Sequence, residues 1–212
     1  ARQEQSYPDP FCRKLTQALS ERYGLPSENI VCGNGASDII IRLCAALRPE
    51  KVFVPAPGFS EYGRSAALFG AEVCEYAVYG FAEGEESGLS ALLEKEYPAS
   101  LSESSITPEN NISGGIDTAA DPAAPPKVSR SGLYSKIAFV CRPNNPDGSM
   151  MRLDELRDIA ESCRRADCLL AVDECFLEFT DDTSALVLLD RFRNVLVINA
   201  FTKTYAMAAI TI

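Results

Sequence analysis

Three short runs in this 212-residue sequence, Ile137–Cys141, Leu169–Val172 and Val195–Ile198, are apolar at every position. A strand with one wet face alternates apolar and polar residues, so an unbroken apolar run marks a strand covered on both sides. Two further β-rich runs, Val52–Val54 and Val73–Val78, precede them. Between the strands the spacing turns helical. Ile39, Ile40, Leu43, Ala46 and Leu47 form one stripe, and Leu153, Leu156, Ala160 and Cys163 form another. Glu161 and Arg165 stand four apart on the wet side of the second stripe. Both stripes are read as core. Strand and helix in alternation predict an α/β chain, a three-layer α/β/α architecture with a mostly parallel sheet.

One stretch breaks this rhythm. From Pro98 to Tyr134 the chain is rich in Ser, Ala, Pro, Gly and Asn. Such a segment cannot offset its ordering entropy by burial, so 98–134 is expected to be a disordered insertion within the domain, with a functional lid as the alternative.

Composition then narrows the chemistry. The chain contains no histidine, which excludes Ser-His-Asp and Cys-His nucleophile systems, His-ligated zinc and any imidazole proton shuttle within it. Proton transfer falls to Lys, carboxylate, Cys or Tyr. A net charge of −10 argues against nucleic acid and against an anionic membrane surface as partners. The eight cysteines include no Cys-x-x-Cys pair, and several sit inside apolar runs. They read as reduced core thiols of a cytoplasmic protein rather than a disulfide scaffold or a zinc site. No apolar run approaches the roughly 18 residues of a membrane span, and the first residues show no signal-peptide pattern.

Four polar features fall at strand ends or at a helix start, where open α/β sheets place ligands. Gly33-Asn-Gly-Ala-Ser-Asp38 precedes the Ile39 stripe. It reads either as an anion site at a helix N-terminus or as an ordinary turn with Ser37 or Asp38 as cap. Arg142-Pro-Asn-Asn-Pro-Asp-Gly148 follows the Ile137 run and holds Asn145 between prolines, as a rigid amide donor or merely a stiff turn. Asp173-Glu174 ends the Leu169 run, as a helix-start cap or as charge aimed into a crevice. Phe201-Thr-Lys203-Thr-Tyr205 follows the Val195 run. Lys203 is one of six lysines and the one that sits beyond a deeply apolar strand, a nucleophile for carbonyls or a snorkelling surface lysine.

Taken in order, these features resemble the class I/II aminotransferase family of fold-type I pyridoxal-phosphate enzymes. The resemblance runs from Tyr7-Pro-Asp-Pro10 to the last residue, the insertion apart. Phe59-Ser-Glu-Tyr62, Asp173-Glu-Cys-Phe176 and Thr202-Lys-Thr-Tyr-Ala-Met207 are most similar to the family's threonine-phosphate decarboxylase branch, which serves cobalamin biosynthesis and is close to histidinol-phosphate aminotransferase. The resemblance implies that Lys203 holds the aldehyde of pyridoxal 5'-phosphate as a Schiff base and then shuttles protons. It implies that Asp173 keeps the pyridine nitrogen protonated, that Asn145 donates to the phenolic oxygen, and that Phe59 stacks on the ring. Ala36, Ser37 and Thr202 would hold the phosphate. Tyr7 would reach the phosphate site of a neighbouring subunit, which implies a homodimer. The implied substrate is a small amino acid or amino phosphate.

The sequence departs from the family pattern at three places. Asn-Pro-Thr-Gly reads Asn145-Pro-Asp-Gly148, Phe176 stands where transaminases often carry tyrosine, and Thr211 stands where an arginine meets the cofactor phosphate. The family's C-terminal small domain has no counterpart here. Residues 1–212 are therefore expected to form most of the large cofactor domain, as part of an enzyme or as a catalytically silent remnant.

Overall fold

In the computed structural model, which describes residues 9–78, 88–96 and 134–205, five strands make one sheet. They are β1 (Lys51–Ala56), β2 (Glu72–Ala77), β3 (Lys136–Cys141), β4 (Cys168–Asp173) and β5 (Val195–Ile198). Their spatial order is β2-β1-β3-β4-β5 and all four pairings are parallel. The chain steps outward from β1 to β2, then returns to β3 on the other side of β1. That reversal opens a crevice beyond the strand ends between β1 and β3.

The described helices are α1 (Arg13–Tyr23), α2 (Gly35–Leu47), α3 (Glu61–Leu68), α4 (Gly88–Glu96), α5 (Leu153–Arg165) and the short α6 (Phe201–Thr204). Side chains alternate across a strand, so each strand feeds two cores. Val52, Val54, Ile137, Phe139, Leu169 and Ala171 face α2 and α3, where they meet Ile40, Cys44, Leu47, Tyr62 and Ala66. Phe53, Ala138, Val140, Leu170 and Val172 face α4 and α5, meeting Leu89, Leu93, Leu156 and Ile159. The result is the expected three-layer α/β/α arrangement. Burial of all six residues of β4 is what its apolar run required.

All five expected strands form, and α2 and α5 carry the two expected stripes. Four helices were not singled out from sequence, among them the four-residue α6. Helix α1 has no buried residue, and α3 has eight residues with Gly63 inside it, so neither displays a full apolar stripe. Helix α4 is nine residues long, too short for a repeating one. Apart from Tyr134, the expected insertion at 98–134 lies outside the described residues. All eight cysteines are free, and five are buried. No helix among the described residues is long and apolar enough to cross a membrane.

Leu170 lies fully buried in the middle of β4, whereas Val187 is about half exposed. Leu170→Ala should therefore cost about 2–5 kcal/mol in urea unfolding. Val187→Ala should stay within about 0.5 kcal/mol of the parent.

Candidate functional site

The end of β4 sorts two adjacent carboxylates onto opposite faces of the sheet. Asp173 turns to the α2–α3 side and is 3% exposed. Its Oδ2 accepts a hydrogen bond from the Tyr62 hydroxyl at 2.6 Å, and its Oδ1 accepts from the Cys175 backbone N–H at 3.0 Å. Burial, reinforced by the Asp173 charge, pushes the nearby Cys141 thiol up to about 11 and drives Cys175 up as well. Both therefore stand beside the carboxylate as neutral thiols.

Glu174 turns the other way, toward Arg142, with both side chains almost completely buried. Arg142 Nη1 lies 3.4 Å from Glu174, and its Nη2 donates to Asp182 at 2.9 Å. The same guanidinium donates to the carbonyls of Met151 and Thr183, both at 2.8 Å. Glu174 also accepts from the Ser184 hydroxyl and, at 2.7 Å, from the Ala185 N–H. The Ala185 bond meets the start of a short 3₁₀ turn at Ala185–Leu188. The two readings of the Asp-Glu pair thus divide between its members: Asp173 lines a crevice and Glu174 holds a helix start.

The loop after β3 is packed through Asn144, whose amide donates to the Pro57 carbonyl at 3.1 Å and to Asp147 at 3.0 Å. Asp147 also accepts from the backbone and hydroxyl of Ser149, each at 3.1 Å. The acid that replaces the family's threonine therefore serves the loop itself. Asn145, held by these contacts, lines the cavity.

Helix α2 begins at Gly35, which corrects the reading of Ser37 or Asp38 as its cap. Gly35, at the first position of the helix, takes φ +77°, a left-handed conformation that a side chain would strain. Ala36 and Ser37 consequently sit in its first turn. Asp38 instead accepts from the Asn34 backbone N–H at 2.9 Å. A Cβ at Gly33 would stand 2.6 Å from Asp38 Oδ2 and 2.5 Å from Ile39 Cδ1, so a side chain there would displace those two side-chain ends.

Seven of the expected site residues line one cavity of about 170 Å³: Ala36, Ser37, Phe59, Asn145, Asp173, Thr202 and Lys203. They arrive from the start of α2, from the segments after β1, β3 and β5, and from the end of β4. Lys203 Nζ lies 5.8 Å from the centre of the Phe176 ring, which also lines the cavity. Tyr7 and Thr211 lie outside the described residues. A larger groove, of about 1510 Å³, runs beside β5, α1 and the segment 25–35; of the expected residues it contains Thr202 alone. The cavity, and not the groove, gathers the chemistry.

Sequence reasoning passed over Tyr62 and the thiols of Cys141 and Cys175. The signal for Tyr62 was its spacing, one helical turn beyond Phe59. Cys141 and Cys175 sit in or beside apolar runs and read as core, as does a lone tyrosine between Glu61 and Gly63.

The two acids on Arg142 should respond to pH in opposite senses. Burial raises the pKa of Glu174 against the opposing pull of Ser184, Ala185 and Arg142. The folded chain then retains a proton that the unfolded chain has released, so this contribution is full at low pH and fades as pH rises through the raised pKa. The Thr183 N–H and Arg142 lower the pKa of Asp182, whose contribution is full above the ordinary carboxylate range and fades on acidification. In urea unfolding across the acidic range, the parent's stability relative to E174Q should fall as pH rises. Its stability relative to D182N should grow.

Comparison with known proteins places this geometry. A histidinol-phosphate aminotransferase of Halorubrum lacusprofundi is 32% identical over 211 residues, covering 97% of this chain and 47% of the relative. A threonine-phosphate decarboxylase of Salmonella typhimurium is 28% identical over 203 residues, covering 95% and 45%. The chain thus spans about half the length of the curated relatives it matches. Among solved structures, L-threonine-O-3-phosphate decarboxylase from Porphyromonas gingivalis superposes with a TM-score of 0.68 at 18% identity, covering 98% of this chain and 50% of that one. The family model for aminotransferase class I and II matches residues 1–212. With a parallel α/β/α scaffold, its strand-end cavity and a match along its whole length, this chain belongs to the aminotransferase class I and II family.

Proposed function

We propose that this chain is the cofactor-binding large domain of a pyridoxal-phosphate enzyme that acts on a small amino acid bearing a phosphate, most like threonine-phosphate decarboxylase. The observation that carries this reading is the convergence of a buried carboxylate, an amine, an amide, an aromatic face and a helix start on one cavity. This donor set fits a phosphorylated pyridine aldehyde. A carboxylate oxygen offers two acceptor sites. Among the described residues, Tyr62 takes one site on Oδ2 of Asp173 and the Cys175 N–H takes one on Oδ1, which leaves capacity for a ring N–H.

When bound, pyridoxal phosphate supplies an aldehyde for the substrate amine and a ring that withdraws electrons from the substrate's Cα. The chain's own residues do the rest. Asp173 holds a proton on the ring nitrogen, because an ion pair in a desolvated site favours both charged forms. Asn145 donates to the phenolic oxygen, and Phe59 covers one face of the ring. Ala36 and Ser37 in the first turn of α2, with Thr202, provide the phosphate site. The amine of Lys203 would hold the cofactor through its aldehyde and would carry the proton at the substrate's Cα. This assignment gives a histidine-free chain its proton carrier. The same reading gives Tyr7 to the neighbouring subunit's phosphate, makes the working unit a homodimer and places it in the cytoplasm.

A second reading, amino transfer of the histidinol-phosphate type to 2-oxoglutarate, is favoured by the 32% identity to that aminotransferase. The apolar Phe176 beside Lys203 favours the decarboxylase branch. The bond broken at Cα is selected by the groups that bind substrate carboxylate and side chain, which the family resemblance places largely outside these residues.

Borohydride treatment after addition of pyridoxal phosphate should fix an adduct that maps to Lys203; an adduct on another lysine, or none, defeats the proposal. Lys203→Ala should lower turnover on the order of 10²–10⁴-fold. With threonine phosphate alone, release of carbon dioxide identifies the decarboxylase. Amino transfer from histidinol phosphate to 2-oxoglutarate identifies the alternative.

A further inference from the structure

We propose that Tyr62 is a positioning residue for the cofactor ring, fixing at once the carboxylate that meets the ring nitrogen and the aromatic face that covers the ring. The inference rests on the cofactor reading above and adds a residue to it. Tyr62 is fully buried and stands behind the cavity wall rather than in it, so it acts through its neighbours. Its hydroxyl donates to Oδ2 of Asp173 at 2.6 Å, while Oδ1 is held by the Cys175 N–H. One donor on each oxygen fixes the plane of the carboxylate, and a short O–H···O⁻ bond is among the stronger ones available to a protein.

The same ring sets the aromatic side. It meets Phe59 edge-on, with centroids 5.5 Å apart and planes at 86°. On its other side it stacks on Phe139 at 4.7 Å and 12°, which anchors it to the middle of β3. The stack supplies packing, while the hydroxyl bond and the edge-on contact are what hold Asp173 and Phe59 at a set separation. Burial, and then the Asp173 charge, drive the phenol's pKa far up, so it stays a donor over the whole working range.

Tyr62→Phe keeps the ring and removes the bond. In the full chain, titrated with pyridoxal phosphate and followed by the visible absorbance of the bound cofactor, this variant should bind on the order of tenfold more weakly. Its absorbance band should also shift, because the hold of Asp173 on the ring nitrogen has changed. Phe139→Leu disturbs the stack and leaves the hydroxyl in place. It should lower the melting temperature at least as much as Tyr62→Phe yet keep cofactor affinity within about twofold of the parent. A Tyr62→Phe variant with parental affinity and spectrum overturns the proposal. So does a Phe139→Leu variant that loses affinity in step with its stability, since packing alone then explains the site.

If Tyr62→Phe does not fold, 3-fluorotyrosine at position 62 keeps the shape and makes a more acidic donor. The band should then move, and an unmoved band overturns the proposal. Failure of the parent to form the Lys203 adduct is a separate result, which defeats the cofactor reading itself.

Discussion

Everything in this molecule depends on the alternation of side chains along a strand that is buried on both faces. In β4 no residue is free of a neighbour, so two consecutive acids at its end cannot share a fate. Asp173 is delivered to the α2–α3 layer and Glu174 to the α4–α5 layer. One carboxylate is available to a ligand because the other has been committed to the scaffold.

The two layers neutralise buried charge in different ways. Around Glu174 the answer is ionic and internal: Arg142 uses its guanidinium on two acids and two carbonyls, tying the segment after β3 to the segment after β4. A buried pair of this kind is not by itself a source of stability, since desolvation consumes much of its Coulomb energy. Its clearer effect is to fix where the two strand ends lie relative to each other. Around Asp173, among the described residues, no cation hydrogen-bonds or pairs with the carboxylate, and two neutral donors hold it in place instead. A carboxylate held by neutral donors alone keeps acceptor capacity on the side that lines the cavity.

How much of this was legible in the sequence follows from how local each feature is. The apolar runs at 137, 169 and 195 required strands buried on both faces, and a strand with helices on both sides required the layered fold. Lys203, Asp173 and Asn145 could be picked out because each is a polar residue just past such a run. The start of α2 was misplaced by three or four residues because Ser and Asp are the usual caps, whereas the helix begins at Gly35, whose backbone is left-handed. Tyr62 was hidden for a different reason. A tyrosine on a helix facing a core is ordinary, and only the fold brings its hydroxyl to an acid 111 positions away in the chain. Arg142 was visible in its loop motif but not as a buried cation, since arginine in sequence reads as surface. Long-range polar contacts leave no periodicity behind.

The thiols carry a consequence of their own. Cys163 and Cys168 belong to the layer beneath α5, while Cys44, Cys141 and Cys175 belong to the layer beneath α2 and α3. Cys12, Cys32 and Cys74 are partly exposed. The molecule thus carries its own set of probes, graded by depth and divided by layer. An alkylating reagent that reaches one group before the other would report, cysteine by cysteine, which side of the sheet opens first and whether the strand-end cavity loosens before the scaffold that frames it.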